Sequence, residues 1–155
     1  MNKPSVGETV ADISLPITGG GDWRISDLRG KKIILYFYPK DSTPGCTQQG
    51  QAFRDHFDAF QAFESVIVGV SRDTIKSHEN FKAKQQFPFE LVSDSEELLC
   101  QQFDVIKMKN MYCKQVRGIE RSTFIIDENG VLVKEWRKVQ VKNHIAEVLN
   151  YLQTP

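Results

Sequence analysis

Lys32 to Tyr38 reads KIILYFY, a run with no polar residue after its lysine. A half-exposed strand alternates apolar with polar side chains, so β-branched and aromatic residues this continuous predict a central strand covered on both faces. Ser65 to Val70 (SVIVGV) is a second run of this kind. Between them the rhythm changes. From Cys46 to Phe63 the residues Phe53, Phe57 and Phe60 recur at i, i+4, i+7, with Ala52, Ala59 and Phe63 broadening the stripe. That spacing predicts one amphipathic helix packed on the sheet.

The flanking segments complete an α/β layer plan. Gly19, Gly20, Gly21 and Asp22 suit a tight turn between short strands at Asp12 to Pro16 and Trp23 to Ile25, an N-terminal β extension. Asp27 to Gly30 reads as a single turn. Ser71 to Thr74 opens a second helix that must end before Pro88, because the residue preceding a proline is driven out of the helical region. Asp94 to Phe103 predicts a third helix, and KMKNMYCK, residues 107–114, a polar mobile loop. Ser122 to Ile126 and Val131 to Trp136 are strands joined across Asn129-Gly130, a strong hairpin signal. A last helix runs from Val141 to Leu152. The expected fold is a mixed central sheet flanked by helices, thioredoxin-like in outline, with residues 1–155 forming one domain.

Composition narrows the partners. Lys plus Arg and Asp plus Glu each number 20, so the formal charge is zero and no basic stripe offers itself to nucleic acid. The apolar stretch Ile33 to Tyr38 is too short to span a bilayer, and the opening MNKPSVGETVADI lacks a signal-peptide core. The expectation is a soluble cytoplasmic protein without a membrane or nucleic-acid partner. Its three cysteines, Cys46, Cys100 and Cys113, contain no C-x-x-C pair, which argues against a disulfide framework and against dithiol exchange chemistry. Each thiol is therefore read alone.

Cys46 sits where the chain leaves a buried strand, turns through Pro39, Asp41 and Pro44-Gly45, and enters a helix. Backbone N–H groups in a first helical turn lack intrahelical partners, and with the positive end of the helix dipole they stabilise a thiolate, the reactive form. Thr43, three residues upstream, places a hydroxyl that either caps the helix or turns into the pocket to donate to an incoming oxygen. The plainer reading keeps Cys46 as a small buried hydrophobe.

Pro39, Thr43 and Cys46 fall in the pattern P-x-x-x-T-x-x-C, and LYFYPKDSTPGCT resembles the peroxiredoxin family in its peroxiredoxin Q, or bacterioferritin comigratory protein, branch. SDLRGKKIILYFYPKD, GVSRD, PFELVSD, GIERSTFIID and WRKVQVKNH resemble that branch in its order along nearly the whole chain. The resemblance implies a thiol peroxidase on a thioredoxin fold that reduces hydrogen peroxide and organic hydroperoxides. Cys46 would be the attacking thiolate that becomes a sulfenic acid, and Thr43 would orient the peroxide. Arg121 would favour the thiolate and the charge developing on oxygen, and Pro39 would shield the pocket. Taken without the resemblance, Arg121 is a surface residue at a strand start. No metal or organic cofactor is implied, and relatives are often monomers. Rival readings are a thiol redox sensor without turnover and a thioredoxin-like interaction module with an inert thiol.

The pattern also departs from that branch. Gln51 stands where many members carry a second cysteine, Gln49 where a glutamate is common, and SHENFKAKQQF holds no cysteine either. Cys100, beside Leu98, Leu99 and Phe103, reads as a packed residue. Cys113 is the better candidate for a resolving thiol, against a one-cysteine route in which thioredoxin, glutaredoxin or glutathione reduces the sulfenic acid directly. His56, His78 and His144 lack a partner at metal-ligand spacing and read as surface or supporting groups, so no metal is expected. Trp23 and Trp136 read as packing residues, and Lys134, Arg137, Lys138 and Lys142 as a solvated face.

Overall fold

The computed structural model describes residues 3–154. β1 (Leu15–Pro16) and β2 (Asp22–Trp23) pair antiparallel, shorter than expected. Gly19, Gly20 and Gly21 all have positive φ, a run that side chains rarely adopt. Ile25 leaves the strand and begins a 3-10 turn, Ile25–Leu28. Two carboxylates draw it there: Asp12 accepts from the Ser26 N–H and Asp27 from the Arg24 N–H.

β3 (Lys32–Phe37) is followed by α1 (Pro44–Asp55), α2 (Phe57–Ala62) and β4 (Ser65–Ser71). The expected single helix from Cys46 to Phe63 is therefore two. His56 breaks it with φ −109° and ψ 15°, and its ring Nδ1 lies 3.0 Å from the Ala52 carbonyl, the acceptor its own backbone N–H already uses. The apolar stripe survives the break, with Phe53 and Phe60 fully buried. α3 (Ile75–Gln85) ends before Pro88 at Gln86, which takes the left-handed conformation, and β5 (Glu90–Ser93) follows.

α4 (Leu98–Gln102) is half the expected helix. Asp94 accepts from the N–H groups of Leu99 and Cys100 and so fixes where the helix starts, and Glu97 just before it has positive φ. KMKNMYCK is no loop. β6 (Ile106–Met111) and β7 (Lys114–Ile119) form a regular antiparallel hairpin whose two tip residues, Tyr112 and Cys113, both have positive φ. That geometry suits a two-residue hairpin turn. β8 (Ser122–Ile126), β9 (Leu132–Trp136) and α5 (His144–Gln153) close the chain.

The main sheet has the order β5-β4-β3-β8-β9, with β3 at its centre, parallel to β4 and antiparallel to β8. Alternate side chains of β3 enter two separate cores. Ile33, Leu35 and Phe37 pack with Val70, Leu99, Phe103, Phe124 and the Trp23 hairpin. Ile34, Tyr36 and Tyr38 pack with Phe53, Phe60, Phe81, Ile145 and Val148 of the helices, and with Cys46. The segment that carries Cys46 thus grows directly out of the central strand.

Candidate active site

Phe37 pairs with Ser122 across β3 and β8, and the Tyr38 N–H continues the ladder to the Val70 carbonyl. This register sets two things side by side: the exit of β3, which leads through residues 39–43 into α1, and Arg121, the residue before β8. Val139 N–H donates to the Arg121 carbonyl at 2.9 Å and holds that backbone from the other flank. Pro44 opens α1, where its missing N–H goes unneeded. Cys46 follows in the first turn, only 3 % exposed.

Arg121 Nη2 lies 3.5 Å from Cys46 Sγ, and Nη1 donates to Gln49 Oε1 at 2.5 Å. Cys46 and Gln49 are three residues apart on one helix face, so a single planar guanidinium can touch both. Gly45 makes room for it, since a Cβ there would stand 3.2 Å from Nη2. Lys109 of β6 is a second cation nearby. Its ammonium donates to the Ile119 carbonyl at 2.6 Å, and its pKa lies below the usual lysine value through burial and then repulsion from Arg121. Lys109 was hidden in sequence inside a stretch read as a loop.

Thr43 is the residue before α1, yet its side chain does not cap the helix. Its hydroxyl donates to the Lys40 carbonyl at 2.8 Å. With its proton committed there, the hydroxyl oxygen is left as an acceptor. Pro39 is half-buried at the exit of β3.

Asp41 anchors this loop from behind. Its carboxylate accepts from Tyr38 Oη at 2.6 Å, from Ser77 Oγ at 2.8 Å and from His78 Nδ1 at 2.7 Å, while His78 Nε2 donates to the Val92 carbonyl at 2.9 Å. The Asp41 N–H donates to Asp73, which also accepts from Ser71. Of the two readings of His78, surface or supporting, the surface one is corrected: it is fully buried, and its carboxylate partner Asp41 lies 37 positions away. Asp41, Asp73 and His78 bring potential metal ligands within 4.8 Å of one another. Both Asp41 oxygens and both His78 nitrogens are already engaged in hydrogen bonds, so the donor set is that of a structural brace. His144 is buried too, with Nε2 2.8 Å from Thr123 Oγ1, and burial lowers its pKa. His56 is exposed.

All three cysteines are free thiols. Cys100 is fully buried, and burial followed by the Asp94 carboxylate pushes its thiol far up, away from the thiolate form. Cys113 is exposed at the hairpin tip. Trp23 is a core residue, and Trp136 packs edge-on against His144 and Tyr151. Of the cationic cluster, Arg137 is structural, donating to the carbonyls of Phe103 and Asp104. Among the described residues no helix is long and apolar enough to cross a membrane. Two surface cavities of about 550 and 520 Å³ are lined by neither Cys46, Thr43 nor Arg121.

A mixed sheet flanked by helices, with one thiol in the first turn of α1 facing an arginine, defines a thioredoxin-like protein built for thiol chemistry. Residues 6–135 match the AhpC/TSA family, and the chain belongs to it. It is 48 % identical over 148 residues to peroxiredoxin Bcp of Bacillus subtilis, covering 96 % of this chain and 94 % of that one. It is 51 % identical over 142 residues to peroxiredoxin Bcp of Xanthomonas campestris, covering 92 % and 89 %. Among solved structures, the bacterioferritin comigratory protein of Xanthomonas campestris, studied for its alkyl peroxide reduction activity in trapped intermediate and ligand complexes, superposes with a TM-score of 0.89. That match is at 48 % identity and covers 97 % of this chain and 96 % of the other. The chain is a thiol-dependent peroxidase of the peroxiredoxin Q type.

Proposed function

We propose that Cys46 is the peroxidatic residue, and the observation that carries this is the 3.5 Å approach of Arg121 Nη2 to its sulfur. The Cys46 thiolate attacks the terminal oxygen of a hydroperoxide. A new S–O bond forms as the O–O bond breaks, the sulfur loses two electrons to the peroxide, and the departing alkoxide or hydroxide takes up a proton to leave as alcohol or water. Arg121 offsets the charge that spreads over the oxygens, Thr43 accepts from the peroxide O–H, and Pro39 keeps water from the sulfur. The likeness to the Xanthomonas protein supports organic hydroperoxides as substrates beside hydrogen peroxide.

Recycling follows a one-cysteine route. An external thiol condenses with the Cys46 sulfenic acid and releases water, and a second thiol then displaces the mixed disulfide and restores Cys46. Thioredoxin, glutaredoxin and glutathione all supply that chemistry. Cys100 is too buried and too firmly protonated to compete, and Cys113 is the internal alternative. Three free thiols suit a reducing compartment, which supports a cytoplasmic location. One central sheet with a core on each face supports a single domain, and the chain is proposed to act as a monomer.

The test is the intact mass of the reduced protein after one equivalent of hydrogen peroxide, with Cys46→Ser and Cys113→Ser alongside. The expected product is each protein's own reduced mass plus one oxygen, in the parent and in Cys113→Ser, with no change in Cys46→Ser. Loss of two hydrogens that disappears in Cys113→Ser would make Cys113 the resolver. An unreactive parent would remove Cys46 from the chemistry.

A further inference from the structure

Gln49 is 1 % exposed, yet only half of its amide is used. Oε1 holds Arg121, while Nε2 is a buried donor without a partner, a destabilising state for a polar group. A glutamate of the same shape would leave no orphan donor and would meet the guanidinium with a charge-assisted hydrogen bond, the stronger pairing. The amide is therefore the less stable choice at this position. Its consequence is electrostatic. The arginines in ion pairs among the described residues are Arg24, Arg54, Arg72, Arg117 and Arg137. Arg121 is in none.

Among the described residues no carboxylate lies within ion-pair distance of Arg121. Lys109 is a like charge, and Glu120 acts on Lys109. Tyr36 is kept protonated by full burial and His144 is held toward its neutral form by burial. Both Asp41 oxygens are already hydrogen-bonded to Tyr38, Ser77 and His78. Arg121 acts at longer range on Tyr36, Lys109 and His144 as well, but the Cys46 sulfur is the titratable group that its guanidinium touches.

We propose that Gln49 is a positioning residue that aims Arg121 through a neutral acceptor, so that the full guanidinium charge acts on the Cys46 sulfur and on the peroxide oxygens. The proposal rests on the reading of Cys46 as the reacting thiol. A carboxylate at position 49 would aim the arginine equally well and divide its charge.

Gln49→Glu tests this, read by the ultraviolet absorbance of the thiolate against pH and by stopped-flow peroxide rates across the same range. In this variant the thiolate should appear about one pH unit higher, the usual size of a new charge contact at a titrating site. The peroxide rate at neutral pH should fall about tenfold and return in large part at higher pH, while the melting temperature stays level or rises. Gln49→Met keeps the length but supplies neither acceptor nor charge, so its rate should fall several-fold and its thiolate should appear at a higher pH than the parent's by clearly less than in Gln49→Glu. A Gln49→Glu protein that titrates and reacts as the parent does overturns the proposal, as does a Met variant with the parent's rate. A Met variant that moves the titration as far as Glu overturns it too, since charge would not be the cause. A parent that does not react with peroxide defeats instead the assignment of Cys46, which separates the two failures.

Discussion

Arg121 reaches the thiol from the strand next to the one that delivers it, 75 positions away in sequence. Its placement rests on backbone pairing of β3 with β8 and on the Val139 N–H, not on its own side chain. Removing the side chain therefore leaves the fold in place and strips the site of its nearest cation. Arg121→Ala should lower the second-order rate with hydrogen peroxide by about 10²-fold or more, the size of effect seen when one preorganised donor is removed from a developing oxyanion. The far-ultraviolet circular dichroism should stay unchanged. Stopped-flow tryptophan fluorescence checks the rate, and a variant within threefold of the parent would take Arg121 out of the reaction. At this scale Cys46, Thr43 and, through the family resemblance, Arg121 are legible as candidates in sequence, and Gln49 only as a departure from the pattern. That Gln49 holds Arg121, or that Asp41 holds His78, depends on contacts 72 and 37 positions apart that no local spacing encodes.

Elements were legible where burial shapes composition. β3 and β4 announced themselves as unbroken apolar runs, and α1 with α2 kept one apolar stripe across the break at His56. The β6–β7 hairpin did not, because most of its side chains face solvent and its turn uses Tyr112 and Cys113 in place of an Asn-Gly signal. Besides the buried Ile119 and the packed Ile106 at its base, one carboxylate ties it to the body: Glu97, just before α4, accepts from Arg117 of β7 and from Arg72. Hydrogen bonding from Arg117, then from Gln101 and Arg72, holds the Glu97 pKa at about 2 against an ordinary 4.5. A depressed carboxylate pKa adds stability that is present above the unfolded value and lost as pH falls through the folded one. The attachment should thus be intact above pH 4.5 and weaken between pH 4.5 and about 2. Glu97→Gln should bring the loosening to neutral pH, seen as several-fold faster amide hydrogen exchange across Ile106–Ile119 with the central sheet unaffected. Equal protection in the variant and the parent would show that the hairpin is held by other contacts. Lys109 rides on the same hairpin, so its loosening should also reduce the peroxide rate.

For the molecule as a whole, the sheet joins the thiol site to the far helix through β8. Arg121 precedes this strand, Thr123 lies within it, and Thr123 Oγ1 meets His144 Nε2 at the first residue of α5. Burial lowers the His144 pKa below its ordinary 6.5, more than the nearby Glu147 raises it. An unfolded chain therefore takes up this proton at a higher pH than the folded one does. The stability contributed by keeping the ring neutral is fully present above pH 6.5 and lost as pH falls from there through the lower folded value. Glu97 begins to release its share only below pH 4.5, so acid should weaken the protein in two successive ranges. His144→Gln keeps a group able to bond Thr123 but cannot take up a proton. The variant should lose the upper range alone, with a melting temperature that is flat between pH 7 and pH 5 while the parent's falls by a few degrees. Parallel curves for the two proteins would mean that the proton is taken up elsewhere. Since α5 packs through Ile145 and Val148 on the same core as Cys46, a protonated His144 should loosen the helix first and the thiol site after it. Peroxide activity measured down the same pH range should then outlast the first drop in melting temperature.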